Sequence, residues 1–388
     1  MEAPSFASSM RPDGETVFLL PGPVKMDPRV LAAMATPAMN HRGPEFKEIL
    51  LDLRGLVQRL FETRGEVAIL SGSGTAGLEA AVSGLLRKDD RVLNLVNGKF
   101  SERFGELAAV FATPTPLPFE WGTPIVPDRV AEALESAEYR AVTLCWNETS
   151  TGLTNPIEDI ARVVRKHDAW FIVDGITAVG GLECRMREWG IDALVVGSQK
   201  CVAAPPGLSA VALSDRAYEA LHAETSFYTN LRAHVDGLKE QDTPYTPAVP
   251  LFLAFRTALR LLAEEGLAAR IERTRRLAEA TRAAVRAMGL RLFPDHAFAS
   301  NTVTAIRYPD GIDDGRFRTT LREAHRTIVA GGQGPLKGTI FRIGHMGICD
   351  LDDLRDGFRA IEATLGAMGH PLEPGAGARA LTGSARGA

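Results

Sequence analysis

From residue 65 to about 245 the chain alternates short apolar runs with amphipathic ones, and this alternation limits the possible folds more than any other feature. VAIL precedes AGLEAAVSGLL, RVLNLV precedes SERFGELAAVF, AVTLC precedes IEDIARVVRKH, and WFIVD, ALVV and SAVAL continue the series. Apolar runs without polar alternation suit strands buried on both faces, while the segments between them repeat apolar residues at helical spacing. The pattern predicts an α/β fold, a mostly parallel sheet flanked by helices on both faces.

The rhythm changes after TPYTPAVPLF. Two long amphipathic helices are expected over about 251–264 and 267–288, followed by strands near 302–307 and 340–343 with helices between and after. This divides the chain into a large domain, 16–250, and a smaller C-terminal α/β domain, 251–370. The large domain's first segment is expected to contribute to the small domain or to a dimer contact. Residues 1–15 read as a disordered N-terminus. Residues 371–388 are small, Gly-rich and aperiodic, and are expected to form a disordered tail outside the fold.

A net charge of −4 with 24% charged residues leaves no broad basic face for nucleic acid. No stretch reaches the roughly 18 apolar residues that a membrane span needs, and Met1 to Glu15 has no signal-peptide pattern. Cys145, Cys184, Cys201 and Cys349 are too scattered for a disulfide framework or a ligand cluster, which points to free thiols in the cytoplasm. The eight histidines form no metal motif. Small molecules are the expected partners.

In an open parallel sheet, ligands bind beyond the carboxyl ends of the strands, and four of those ends are chemically loaded. VAIL runs into Ser71-Gly72-Ser73-Gly74-Thr75 and then a helix. Small residues, hydroxyls and a helix amino terminus together make an anion cup. Alone, the same segment is equally an ordinary Gly-rich turn with a Ser cap, and its spacing is neither GxxxxGK[ST] nor GxGxxG. AVTLC leads into Trp146-Asn147-Glu148-Thr149-Ser150-Thr151-Gly152, a hydroxyl-rich loop that lines a ligand or caps a helix.

WFIV ends in Asp174, a carboxylate that is costly there unless a cation or donor meets it, although a cap role is open. ALVV leads to Gly197-Ser198-Gln199-Lys200. A lysine at a buried strand end loses solvation, which favours the neutral amine that Schiff-base chemistry uses; a surface lysine lying along apolar neighbours is the alternative. The four converge. Anion cup, hydroxyl loop, acid and lysine, in that order on one sheet, match the needs of pyridoxal 5'-phosphate: a phosphate site, an acid for the ring nitrogen and an amine for the aldehyde.

With these motifs in place, the chain resembles the class V aminotransferases of the fold-type I pyridoxal-phosphate enzymes, in particular the alanine-glyoxylate, serine-glyoxylate and serine-pyruvate group. SGSGTAGLEAAV, NETSTG, FIVDGITAVGG, GSQKCVAAPPG, YTPAVP and RIGHMG carry the likeness in order, and it runs from FLLPGPVKMDPRVLAAM into the last helix. The resemblance implies that Lys200 carries the internal aldimine and that Asp174 contacts the pyridine nitrogen. It implies a phosphate held by Ser73, Gly74, Thr75 and Gln199, with Thr246 reaching in from the second subunit of a homodimer with shared sites. It also places Phe100 on the ring face, Thr149 near the phenolic oxygen, Ile176 in the coenzyme site, and Gly22 and Arg342 at the substrate, Arg342 on its carboxylate.

The implied reaction is ping-pong transfer of an amino group from a small amino acid, alanine or serine, to the 2-oxo acid glyoxylate or pyruvate. Ureidoglycine, aspartate or a specialised metabolite as donor would keep every motif. Cysteine desulfurases have histidine before the lysine where this chain has Gln199, and they need a mobile thiol. A binding protein without turnover would be expected to have lost the lysine, the aspartate or the arginine. Arg42, in NHRG, either reads a distal substrate carboxylate or lies at a dimer contact, and His345 is either a pocket wall or a packed strand residue.

Overall fold

The computed structural model describes residues 15–224 and 226–384. The segment expected to be disordered at the N-terminus lies, apart from Glu15, outside the described residues. Helix α1 (Pro44–Leu60) begins with Pro at its first position, where the missing N–H costs nothing, and buries Phe46, Ile49, Leu50, Leu53, Leu56, Val57 and Leu60 along one side. There follow β1 (Val67–Ser71), α2 (Gly74–Leu85), β2 (Arg91–Val96), α3 (Lys99–Phe111), β3 (Thr113–Pro118), β4 (Ala141–Cys145), α4 (Ile157–Val164), β5 (Trp170–Asp174), β6 (Ala193–Gly197) and β7 (Leu208–Leu213).

These strands form one seven-stranded sheet in the order β1-β7-β6-β5-β4-β2-β3. β7 runs antiparallel to both of its neighbours, and the other pairings are parallel. Every residue of β4, β5 and β6 is buried, as strands covered on both faces must be. Side chains alternate between two cores. Phe171 and Val173 of β5 join α1 on one face, whereas Trp170 and Ile172 join Leu78, Val82 and Phe104 of α2 and α3 on the other. Because the helices return each strand in the same direction, the carboxyl ends of β1, β4, β5 and β6 open on the same edge.

Helices α5 (Val249–Glu265) and α6 (Leu267–Ala287) follow, close to the expected limits. Then come β8 (Val303–Arg307), α7 (Asp314–His325), β9 (Ala330–Gly331), β10 (Ile340–Gly344), α8 (Leu351–Ala367) and α9 (Ala376–Ser384). β8, β10 and β9 make a separate three-stranded antiparallel sheet. Phe317 and Phe341 meet at 5.0 Å in its core. No helix among the described residues is long and apolar enough to cross a membrane.

One expectation is overturned. Within the supposed disordered tail, 371–388, residues 376–384 form α9, packed on α6 and α8. The composition looked too poor in apolar surface to order itself, but small residues allow close approach. A Cβ on Gly377 would meet Met288 Sδ at 2.8 Å. The Gly377 N–H donates to Glu362 Oε1 at 2.6 Å, and Leu381 is 1% exposed inside the same core as Phe358. Leu381→Ala is therefore expected to lower the unfolding free energy by about 2 kcal/mol in denaturant titration; an unchanged midpoint would put the tail back outside the fold.

Candidate active site

A cavity of about 160 Å³ opens at the common strand edge, lined by Ser73, Gly74, Thr75, Phe100, Arg103, Cys145, Asn147, Thr149, Asp174, Ile176, Thr177, Gln199 and Lys200. Nine residues expected from the sequence thus share one wall: the Ser73–Thr75 cup, Phe100, Thr149, Asp174, Ile176, Gln199 and Lys200. Gly22 lies against them, since a Cβ there would overlap the Nζ of Lys200. Its φ of +111° also favours glycine. Arg342 stands behind Thr149, donating from Nη1 to the Thr149 carbonyl at 2.9 Å.

Arg42 and Thr246 are not on this lining. Arg42 is bound by the carboxylate of Asp242 and by the Thr243 carbonyl, the latter at 2.9 Å. Thr246 is exposed, two residues before an amide, Ala248 N–H, that reaches Ser71 Oγ at 3.4 Å. His345 resolves as a packed strand-end residue. It is fully buried, Nε2 lies 2.9 Å from Thr304 Oγ1, and burial pushes its pKa down to about 3.

Local structure explains the aim of each group. Ser73 precedes α2 in extended conformation and spends no side-chain bond on capping; Ala76 N–H turns back to the Ser73 carbonyl, and the Gly74 and Thr75 amides are left for a ligand. Lys200 sits in a tight turn closed by Ala203 N–H to the Lys200 carbonyl and by Ala204 N–H to the Ser198 carbonyl, both 2.9 Å. Ser198 Oγ ties the turn to the Pro205 carbonyl at 2.6 Å. The lysine amine donates to the Pro21 carbonyl at 2.9 Å, and Val24 N–H reaches the Gln199 carbonyl at 3.1 Å. The N-terminal segment is thus laid directly across the lysine.

Burial sets the charge states. It raises the pKa of Asp174 to about 6 against the opposing Ile176 N–H, which donates to Oδ1 at 2.9 Å. Burial lowers Lys200 to about 8 and Arg342 to about 10. At neutral pH the acid is mostly ionised, the amine is partly neutral and the guanidinium remains charged.

Sequence reasoning missed two charged residues. Arg103 lies one helical turn after Phe100 and stacks over its ring at 4.9 Å, a spacing that the helix period could have revealed. Glu148 is 0% exposed and accepts from Phe100 N–H at 3.1 Å, Ser101 N–H at 2.9 Å and Ser150 Oγ at 2.5 Å. It caps α3 from a distant loop, in space left by the missing side chain of Gly98. The cysteines are inert: all four are free and buried, and burial raises Cys201 to about 12 and Cys145 well above the usual thiol range. A wider cleft, about 630 Å³, lies among Arg165, Arg187 and Arg216, where Asp168 and Asp192, two of its three acids, pair with Arg216.

The donor set fits pyridoxal phosphate. Gln199 Oε1 is buried without a hydrogen-bond partner, so its carboxamide is uncommitted beside the cup. An acid and an amine, both desolvated, share the cavity with an aromatic face. These features define a fold-type I pyridoxal-phosphate enzyme. Comparison with known proteins carries this further: the family model "Aminotransferase class-V" matches residues 29–339. An uncharacterised aminotransferase of Methanocaldococcus jannaschii is 41% identical, with 92% of this chain and 94% of that protein aligned. The serine–glyoxylate aminotransferase of Hyphomicrobium methylovorum is 34% identical over 93% and 92%. The crystal structure of ureidoglycine–glyoxylate aminotransferase from Bacillus subtilis superposes with a TM-score of 0.92 at 32% identity, covering 96% of this chain and 98% of that one. The chain belongs to the class V aminotransferase family and is a pyridoxal-phosphate-dependent aminotransferase.

The charge states predict how the coenzyme-free protein takes up pyridoxal phosphate. A neutral amine attacks the aldehyde, so the capture rate should climb roughly tenfold per pH unit below the Lys200 pKa and level off above it. Stopped-flow absorbance should show the plateau beginning near pH 8; a rate still climbing through pH 10 would mean an ordinary, solvated lysine.

Proposed function

We propose that this aminotransferase moves the amino group of a small neutral amino acid, alanine or serine, to glyoxylate or pyruvate. The observation that carries the proposal is the state of Arg342. It is 5% exposed, and its hydrogen bonds go to backbone carbonyls: Nε and Nη2 to Gly331 at 3.0 and 2.8 Å, and Nη1 to Thr149. Three of the five guanidinium N–H groups are thereby spent. One remains on each terminal nitrogen, the pair that grips a carboxylate with two parallel bonds. Arg42 spends Nη1 on the Asp242 carboxylate and the Thr243 carbonyl and does not line the cavity, so it offers no second carboxylate site there in this subunit.

Pyridoxal phosphate, when bound, supplies an aldehyde for the amino group and a ring that accepts the electron pair left at Cα. Ser73, Gly74, Thr75 and Gln199 would hold its phosphate, Phe100 its face and Asp174 its ring nitrogen. The Asp174 carboxylate would favour a proton on that nitrogen, since opposite charges attract strongly where water is excluded. The amine of Lys200 would take the Cα proton of the bound amino acid and return it on the other side of the transferred nitrogen. Arg342 fixes the substrate carboxylate and so orients the Cα–H bond toward that amine.

We further infer a cytoplasmic homodimer in which Thr246 of each subunit meets the phosphate cup of the other. Its exposure supports this, as do the neighbouring aromatics Phe227 and Tyr228, 81% and 49% exposed. A second reading, an acidic donor such as aspartate, draws on Arg103, a cation in the cavity wall.

A screen of alanine, serine and aspartate against glyoxylate and pyruvate, followed by cofactor absorbance and product analysis, separates the two readings. Turnover confined to aspartate would reject the neutral-donor proposal. Lys200→Ala is expected to abolish turnover, and retained multiple turnover would refute its role. Arg342→Ala should weaken carboxylate substrates by about 1.5 to 3 kcal/mol; unchanged Michaelis constants would move recognition elsewhere.

A further inference from the structure

Lys200 and Arg342 belong to different sheets, yet one small substrate must touch the groups at both. A misplacement of about 1 Å between reacting partners can cost roughly a hundredfold in rate. Something has to hold the lysine turn and the segment after β10 at a fixed separation. Cys201 and Ala203 of the turn pack on Met346 beyond β10, and two arginines from neither segment add hydrogen bonds, one to each side.

Glu265 ends α5, Gly266 turns the chain, and Arg270 and Arg273 lie in the first turns of α6. The two oxygens of Glu265 are shared between the arginines: Arg270 Nε donates to Oε2 at 2.6 Å and Arg273 Nε to Oε1 at 2.7 Å. Each guanidinium then reaches outward to main-chain acceptors. Arg270 Nη1 donates to the carbonyl of Cys201, the residue after Lys200, at 3.1 Å. Arg273 donates from Nη1 to the Cys349 carbonyl at 2.7 Å and from Nη2 to the Gly347 carbonyl at 2.8 Å, on the segment that leaves β10. Arg270 is 3% exposed. Burial opposes the charge on Glu265, but the hydrogen bond from Arg273 and the charges of both arginines hold its carboxyl below the ordinary range.

We propose that Arg270 and Arg273, joined through Glu265, form an ionic clamp that sets the spacing between the Lys200 turn and the Arg342 strand. They are positioning residues: neither lines the cavity, Arg270 acts through the carbonyl next to Lys200, and Arg273 acts through the Gly347 and Cys349 carbonyls on the segment that continues the Arg342 strand. Planar forks suit the task, because one guanidinium satisfies a carboxylate on one side and a carbonyl on another, which a lysine ammonium does with far less directional constraint. The proposal rests on the reading of Lys200 and Arg342 given above, and its two tests address those residues separately.

The first test is a double-mutant cycle in the holoenzyme. Arg273→Met, at a partly exposed position where folding should survive, is expected to lower kcat/KM for the best donor about tenfold, with the coenzyme dissociation constant unchanged. In an Arg342→Ala background the same change should cause little further loss, because the clamp then has no fork left to place. Equal losses in both backgrounds, or no loss in a folded variant, would overturn the clamp.

The second test needs no turnover, so it judges the clamp even if the donor assignment fails. Lys200 in coenzyme-free protein is acetylated with acetic anhydride across pH and followed by peptide mass spectrometry. Arg270→Met should loosen and hydrate the turn, moving the labelling midpoint up by a pH unit or more from the wild-type value, with Arg270→Lys falling between. Should Arg270→Met fail to fold, Glu265→Gln keeps the shape and gives the same reading. A midpoint that stays in place in a folded variant would refute the clamp.

Discussion

The chemistry of this enzyme depends on removing water from two opposite charges, the Asp174 carboxylate and the Lys200 amine, at the ends of adjacent parallel strands. Both shifts have burial as their leading cause, so the apolar strands do more than build a core. They push the acid up and the amine down toward the same pH range. Neither side chain needs an ion-pair partner of its own, because a bound coenzyme can satisfy both. The fold thus holds two desolvated groups, each with a backbone hydrogen bond, whose charges pyridoxal phosphate would balance.

Much of this was legible from the sequence, for a physical reason. Strands buried on both faces must be continuously apolar, so VAIL, AVTLC, WFIVD and ALVV announce themselves, and a polar group at the end of such a run stands out. Lys200, Asp174 and the Ser73–Thr75 cup were found in this way. Arg342 was reached only through resemblance, since an arginine inside FRIGHMG has no local pattern that marks it as a ligand. Glu148 and the Glu265, Arg270 and Arg273 cluster were invisible for a different reason. Glu148 is held largely by main-chain N–H groups, and Arg270 and Arg273 reach out from their shared Glu265 to main-chain carbonyls; every residue has such groups, so no spacing in the sequence encodes these contacts.

The C-terminal helix shows the opposite failure. Ala376, Gly377 and Leu381 were read as too little apolar surface to order a segment, but small side chains exchange area for proximity. Composition alone does not report how closely two backbones can approach. The same logic governs Gly22 and Gly98, whose missing side chains make room for Lys200 and Glu148. Absent atoms shape this site as much as present ones.

The N-terminal strap has a consequence for biosynthesis. Leu19 accepts from Gly344 N–H at 2.8 Å, while the Pro21 carbonyl holds the lysine amine. Leu19 therefore waits for a strand translated more than three hundred codons later. Contacts of such long sequence separation close late and slowly. The nascent chain can assemble its large sheet early, yet the segment over the Lys200 amine is anchored only after β10 has been made.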